Sequence, residues 1–122
     1  MREIFRNASI VITVDDDPDD QAGGANHRYT AWSDATGLAL CTVEFQHGPV
    51  KEAGVNGIQH VHLLAIIQHR LDSFQRGPFA SAINEVTNGF VSAAMASEDT
   101  RTRRRQAAGV EGQNVLAIGV EK

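Results

Sequence analysis

The chain has a single cysteine, Cys41, so it can close no internal disulfide, and no Cys-X-X-Cys pair is available for zinc or redox chemistry. Cys41 sits in a strand-like run. It reads as a buried core thiol in a protein of a reducing cytoplasm. No apolar run approaches the length of a membrane span. The start, MREIFRNASIVITV, lacks a long apolar block followed by a small-residue cleavage site, so no secretion signal is evident. Positive charge is in deficit: 11 Lys and Arg stand against 15 Asp and Glu, a net charge of -4, which argues against the wide basic face that DNA or RNA binding requires. There is no phosphate loop and no nucleophile elbow. Glu44, Glu52 and Glu85 are scattered and form no acid–base pair. His62 and His69 stand two helical turns apart with no third ligand between them; Gln68 and Asp72 do not complete a set. The sequence therefore asks for no metal, no cofactor and no catalysis.

What is there is one small domain of 122 residues with a modest core, for which help from a partner subunit is a natural expectation. Residues 9–14, SIVITV, are β-branched and read as a strand. The following DDDPDDQAGGAN is acidic and rich in turn formers, and reads as a mobile, solvated loop or hairpin tip without the ligand spacing of a calcium loop. Tyr29 to Ser33 and Leu38 to Phe45 form a β-hairpin around Asp34-Ala35-Thr36-Gly37. Gly48-Pro49 ends it, and Lys51 to Gly57 reads as a short extended segment. Lys51 and Asn56 there suit a tight turn better than a ligand.

A helix is expected from Gln59 to Gln75, with Leu64, Ile67, Leu71 and Phe74 as its core-facing stripe. Gly77-Pro78 stops it. A second helix runs from near Ser81 to about Ala108, capped by Gly109. The fold class is α+β: a small N-terminal antiparallel β-sheet (about 9–57) packed on a C-terminal antiparallel two-helix hairpin (about 58–109). A tail follows at 110–122, whose QNVLAIGVEK could add a strand.

In an acidic chain, four of the basic residues crowd into Arg101 to Arg105. At about 100° per residue, Val86, Thr87, Phe90 and Ala94 lie within about 60° of Ile83, a stripe that reads as buried. Arg101 falls at about 0° and Arg105 at about 40° on the same extension, with Arg103 nearly opposite. Two readings stand: a solvated helix end that suits the helix dipole, or an anion site, most naturally for phosphate. Phe74 and Phe79 flank the interhelical turn, where a ring stacks on a base or packs in the core. Asn84 lies in the first turn of the second helix, as a polar contact or as a cap. One chain separates this turn from Arg101 and Arg105 by tens of ångströms at about 1.5 Å per residue. A two-fold homodimer with exchanged ends would join them into two equivalent pockets.

The runs RYTAWSDATGLALCTVEFQHGPVKEAGVNG, LLAIIQHRLDSFQRGPFA and TRRRQAAGVEG resemble those of the phage Thoeris anti-defence proteins of the first type, over about residues 28–114. That family is similar in its helical hairpin to phage anti-CBASS sponges. The resemblance implies a phage-encoded protein of the host cytoplasm that sequesters glycosyl cyclic ADP-ribose signals from TIR-domain enzymes without cleaving them. It binds neither nucleic acid nor membrane. Some family members also hold cyclic di- or trinucleotides at a separate site and assemble as hexamers, trimers of dimers. It also implies the ligand set Phe74, Asn84, Arg101 and Arg105: base stacking, polar recognition and phosphate neutralisation. Ser81-Ala82-Ile83 stands where the family has Cys-Arg-Glu, and His60 to His62 replaces an Asn-Glu pair. The competing readings are a hydrolase of the same signals, a sponge for cyclic oligonucleotides alone, and a small nucleic-acid binder.

Overall fold

Four short strands pair in sequence order. The computed structural model describes residues 1–109, and the expectations for the 110–122 tail lie outside them. Strands β1 (Arg2–Arg6), β2 (Ile10–Val14), β3 (Arg28–Ser33) and β4 (Ala39–Glu44) form an antiparallel meander in the order β1-β2-β3-β4. A one-turn helix α1 (Val50–Ala53) and two long helices, α2 (His60–Gln75) and α3 (Ala82–Ala107), follow. The class is α+β, as the patterning implied. The chain divides into two compact units, one covering Met1–Ile58 and the other beginning at Gln59.

The sheet unit is organised by polar side chains. Thr13, Thr30 and Thr42 line up across β2, β3 and β4. The Trp32 indole N–H donates to Thr13 Oγ1 (2.9 Å), and Thr13 Oγ1 donates to Asp15 Oδ1 (2.7 Å). Thr30 Oγ1 donates to the other carboxylate oxygen of Asp15. Its one hydroxyl proton is thereby committed, so Thr42, 3.3 Å away, is the donor to Thr30. On the opposite face Ile12 pairs with Ala31 and Val14 with Tyr29, whose ring meets Phe45 edge-on at 5.8 Å.

This unit holds one strand that the patterning did not indicate, and three expectations are corrected in it. REIFR is that strand; its pairing with β2 carries a bulge between Glu3 and Phe5, which breaks the alternation a sequence reading relies on. First, Cys41 is exposed, because β4 is an edge strand. Second, the acidic segment is anchored at its base. Asp16 accepts the backbone N–H groups of His27 (2.9 Å) and Arg28 (3.2 Å), and Asp19 bridges to Ala25 around a 3-10 turn. Third, residues 50–53 are helical. Pro49 presets the backbone, and its carbonyl accepts from Ala53 N–H at 2.7 Å. Asn56 is structural: it accepts from His47 N–H (2.8 Å) and donates to His47 O (2.7 Å). Gly57 is required by space, since a Cβ there would lie 2.4 Å from the Phe45 carbonyl carbon.

In the second unit α2 and α3 form the expected antiparallel hairpin. The Gln59 N–H donates to His62 Nδ1 (2.9 Å) at the start of α2. Gly109, at φ 75°, closes α3 in the left-handed conformation that favours glycine. The face of α2 that meets α3 runs through Val61, Leu64, Gln68, Leu71 and Gln75; that of α3 runs through Asn84, Asn88, Val91, Met95, Glu98 and Thr102, all half-buried. Cross-links dot this seam: Gln68 Nε2 donates to Ser92 Oγ (2.8 Å), Asn88 Nδ2 to Asp72 Oδ1 (2.7 Å), and His60 Nδ1 lies 3.1 Å from Glu98 Oε1.

The seam of α3 lies about 100° around the helix from the stripe expected to be buried. Ile83 is 78% exposed, Phe90 73% and Val86 59%. On α2, Ile67 and Phe74 are also exposed, while Leu64 and Leu71 pack as expected. The helices meet through a mixture of aliphatic and polar side chains and leave Phe74, Ile83 and Phe90 exposed. Counted from the seam in the same sense on two antiparallel helices, Ile67 and Phe74 fall on the same side of the hairpin as Ile83 and Phe90. Among the described residues no helix is long and apolar enough to cross a membrane.

Candidate functional site

The turn between the long helices is fixed by one glutamine. Gln75 Nε2 donates to Ser81 O (3.0 Å) while Gln75 Oε1 accepts Ser81 N–H (2.9 Å), a two-point clasp across Arg76 to Ala80. Ser81 is the N-cap of α3, and its Oγ accepts from Asn84 N–H at 3.0 Å. The cap is thus Ser81, and the Asn84 amide is not used for it. Phe74 ends α2 beside this turn, and Phe79 projects from the turn itself, 75% exposed.

Beside Phe74 lies a groove of about 550 Å³, lined by Ile66, His69, Arg70, Ser73, Phe74 and the Gly77 to Phe79 turn. Arg70, one helical turn before Phe74, lays its guanidinium over the Phe74 ring with its central carbon 5.2 Å from the centroid. Sequence reasoning passed over Arg70, although the four-residue spacing to an aromatic was legible. A second groove of about 630 Å³ holds Asp72, Arg76, Glu85 and Asn88, whose buried Oδ1 has no hydrogen-bond partner.

Arg101 and Arg105 occupy the far end of α3. Arg101 lies 3.6 Å from Glu98, on the same helical face as Ile83 and Phe90. Arg103, on the other side, pairs with Asp99 at 3.0 Å. Arg105 is 8% exposed; the solvated-end reading does not describe it. Along α3, Arg101 and Arg105 stand about 26 and 32 Å from Asn84. One chain therefore brings Phe74 to the turn near Asn84, brings Arg101 near Arg105, and leaves the two pairs apart. No group of His, Cys, Asp and Glu suited to a metal occurs among the described residues.

The sheet unit holds a separate polar cluster. His27 and His47 stack at 4.6 Å with planes 7° apart, and His47 Nε2 lies 2.8 Å from Asp19 Oδ2. The hydroxyls of Thr30 and Thr13 hold the Asp15 carboxyl below its ordinary range. Burial pushes Asp16 up, but the backbone N–H groups of His27 and Arg28, with Asn26, outweigh it and leave Asp16 lowered too. These carboxylates are consumed by hydrogen bonds that hold the loop, so they are poor candidates for a ligand.

No family model matches the chain. Thoeris anti-defense 1 of Bacillus phage SBSphiJ7 is similar to it, 36% identical over 89 residues, which make up 73% of this chain and 62% of that relative. The chain thus spans under two thirds of the relative's length. The resemblance drawn from the motifs is borne out.

Proposed function

We infer that this chain, a relative of a phage Thoeris anti-defence protein, is a non-catalytic sponge that binds glycosyl cyclic ADP-ribose and withholds it from host immunity. It acts as a homodimer with exchanged ends. The observation that carries the reading is the arrangement on the hairpin: Phe74 and Asn84 at one end, Arg101 and Arg105 at the other, and an uncovered apolar face between them. Isolated soluble proteins rarely leave such a face uncovered. A second hairpin laid antiparallel on it covers Ile83, Val86 and Phe90. The same packing sets the turn of one protomer against the Arg101 end of its partner.

In that pocket Phe74 stacks on the base and Asn84, its amide not spent on capping, reads polar edges of the ligand. Arg101 and Arg105 neutralise the diphosphate, for which guanidinium forks are suited. Sequestration works by mass action and needs no turnover. On this reading the chain, like a protein of its phage relative's kind, acts in the infected host cell.

The test is a ligand panel read by melting temperature. A hundredfold excess of glycosyl cyclic ADP-ribose over Kd raises the wild-type midpoint by roughly 10 °C. Arg101→Ala and Arg105→Ala abolish most of that shift. Heat-denatured complex returns the ligand intact; recovery of cleaved product replaces the sponge with a hydrolase. No shift with glycosyl cyclic ADP-ribose but a shift with a cyclic di- or trinucleotide would transfer the cargo to that class.

A further inference from the structure

We propose that Arg70 is itself a ligand-binding residue: it receives a phosphate of the nucleotide whose base stacks on Phe74 of the same protomer. The proposal rests on the reading of Phe74 as a stacking surface and adds a cation that neither the motifs nor the relative assigns.

Three observations carry it. First, Arg70 sits with its guanidinium over the Phe74 ring. The attraction of a cation to a ring face is electrostatic and consumes none of the five guanidinium N–H donors, which therefore remain available. Second, those donors meet no carboxylate: among the described residues Arg70 makes no ion pair, whereas Arg6, Arg28 and Arg103 are each matched to acids within 3.0 Å. Third, the groove has one sign of charge. Among the described residues lining it are Arg70 and His69 but no Asp or Glu, and Ile66, Phe74 and Phe79 supply apolar walls. The groove on the other side of the seam contains both Asp72 and Glu85. At about 550 Å³ the first groove is within the size range of small-molecule sites.

The occupant that satisfies all three is a planar ring joined to an anion, that is, a nucleotide. Its base takes the Phe74 face that Arg70 leaves open, and a phosphate oxygen meets the in-plane N–H edge of Arg70. Arg70 also holds the ring in place, so the stacking surface is formed before the ligand arrives. Recognition then begins within one protomer, and Arg101 and Arg105 of the other close over a ligand already held.

Titration calorimetry with two probes tests this: glycosyl cyclic ADP-ribose, and adenosine as a ring without phosphate. Arg70→Gln weakens glycosyl cyclic ADP-ribose about ten- to a hundredfold, the worth of a charge-assisted hydrogen bond. Adenosine binding changes by less than about threefold, because only the anion contact is lost. Arg70→Lys, which keeps the charge and loses the planar fork, recovers part of the affinity. The apo melting temperature stays at the wild-type value in both variants. If Arg70→Gln binds glycosyl cyclic ADP-ribose within twofold of wild type, the role of Arg70 is overturned and the sponge reading stands. Equal losses for both probes reduce Arg70 to a prop for the ring and overturn its anion role. A wild-type protein that ignores glycosyl cyclic ADP-ribose overturns both readings.

Discussion

The sheet unit and the helical hairpin solve opposite problems. Within Met1–Ile58 the buried positions include Thr13, Thr30 and His27 alongside Val14, and the threonine hydroxyls are tied into one carboxylate. Among the described residues of the long helices the buried one is Arg105, while Ile83, Val86 and Phe90 stand in the open. The sheet spends its polar groups inward, on itself. The hairpin mixes aliphatic and polar groups in its own seam and keeps a second apolar face, Ile83, Val86 and Phe90, outward. Covering a side chain such as Phe90 returns about 1.5–3 kcal/mol. That energy is still unspent in the isolated hairpin. One region is closed on itself, and the other leaves an apolar face uncovered.

The contrast breaks most readily on the sheet side. Asp15→Ala removes the acceptor of two threonine hydroxyls, and the expected loss is about 2–4 kcal/mol in urea denaturation. A loss under about 1 kcal/mol would mean that water replaces the network without cost. The same network gives a pH dependence. Asp15 and Asp16 titrate below their ordinary value of 3.8 in the folded state. Their stabilisation is therefore fully present above that value and is lost as pH falls through the lowered folded values. The urea midpoint of the wild type should fall steeply below about pH 4, and that of Asp15→Asn should fall less. Next in size is Gly57→Ala. Its Cβ would press on the Phe45 carbonyl, where Phe45 bridges to Ile58. About 1–3 kcal/mol of destabilisation follows, checked by the same denaturation.

Much of this was legible from residue order, and the misses share a cause. The β3–β4 hairpin and both helix ends were readable because Gly37, Gly48-Pro49, Gly77-Pro78 and Gly109 punctuate periodic runs. The separation of Phe74 and Asn84 from Arg101 and Arg105 followed from helical rise alone. What periodicity does not contain is the identity of the covering surface. Ile83, Val86 and Phe90 do form one apolar face; the inference that this face is buried was wrong, because a second, more polar face of the helix packs on α2. Cys41 failed in the same way, since a strand's apolar pattern does not reveal that the strand is an edge. Asp15 and Asp16 were misread because turn-forming composition hides a carboxylate that anchors a loop. Arg70 was missed because a lone arginine on a helix carries no signal until its ring partner is considered.

On the hairpin side the effects on folding are smaller. Gln75→Ala opens the clasp on Ser81 and costs about 1–2 kcal/mol, because two hydrogen bonds go but both Ser81 groups reach water. Its sharper readout is ligand affinity, since the clasp sets the Phe74 to Phe79 turn.

The smallest effect on the protomer is the most informative. Phe90→Asp replaces a ring that is 73% exposed on the hairpin, so the intrinsic stability of the protomer should change by no more than about 0.5 kcal/mol. If a second copy covers that face, the same change places a charge in an apolar interface, a buried charge without a partner. Folding and association are then linked, and the wild-type melting temperature rises with protein concentration. That of Phe90→Asp does not, and the two curves converge on dilution. Sedimentation should show a dimer for the wild type at micromolar concentration and a monomer for the variant. A monomeric wild type would remove the exchanged-end dimer, and Arg101 and Arg105 would lose their route to Phe74. A variant that unfolds even at high dilution would show instead that Phe90 supports its own protomer, which would erase the difference between the closed region and the uncovered one.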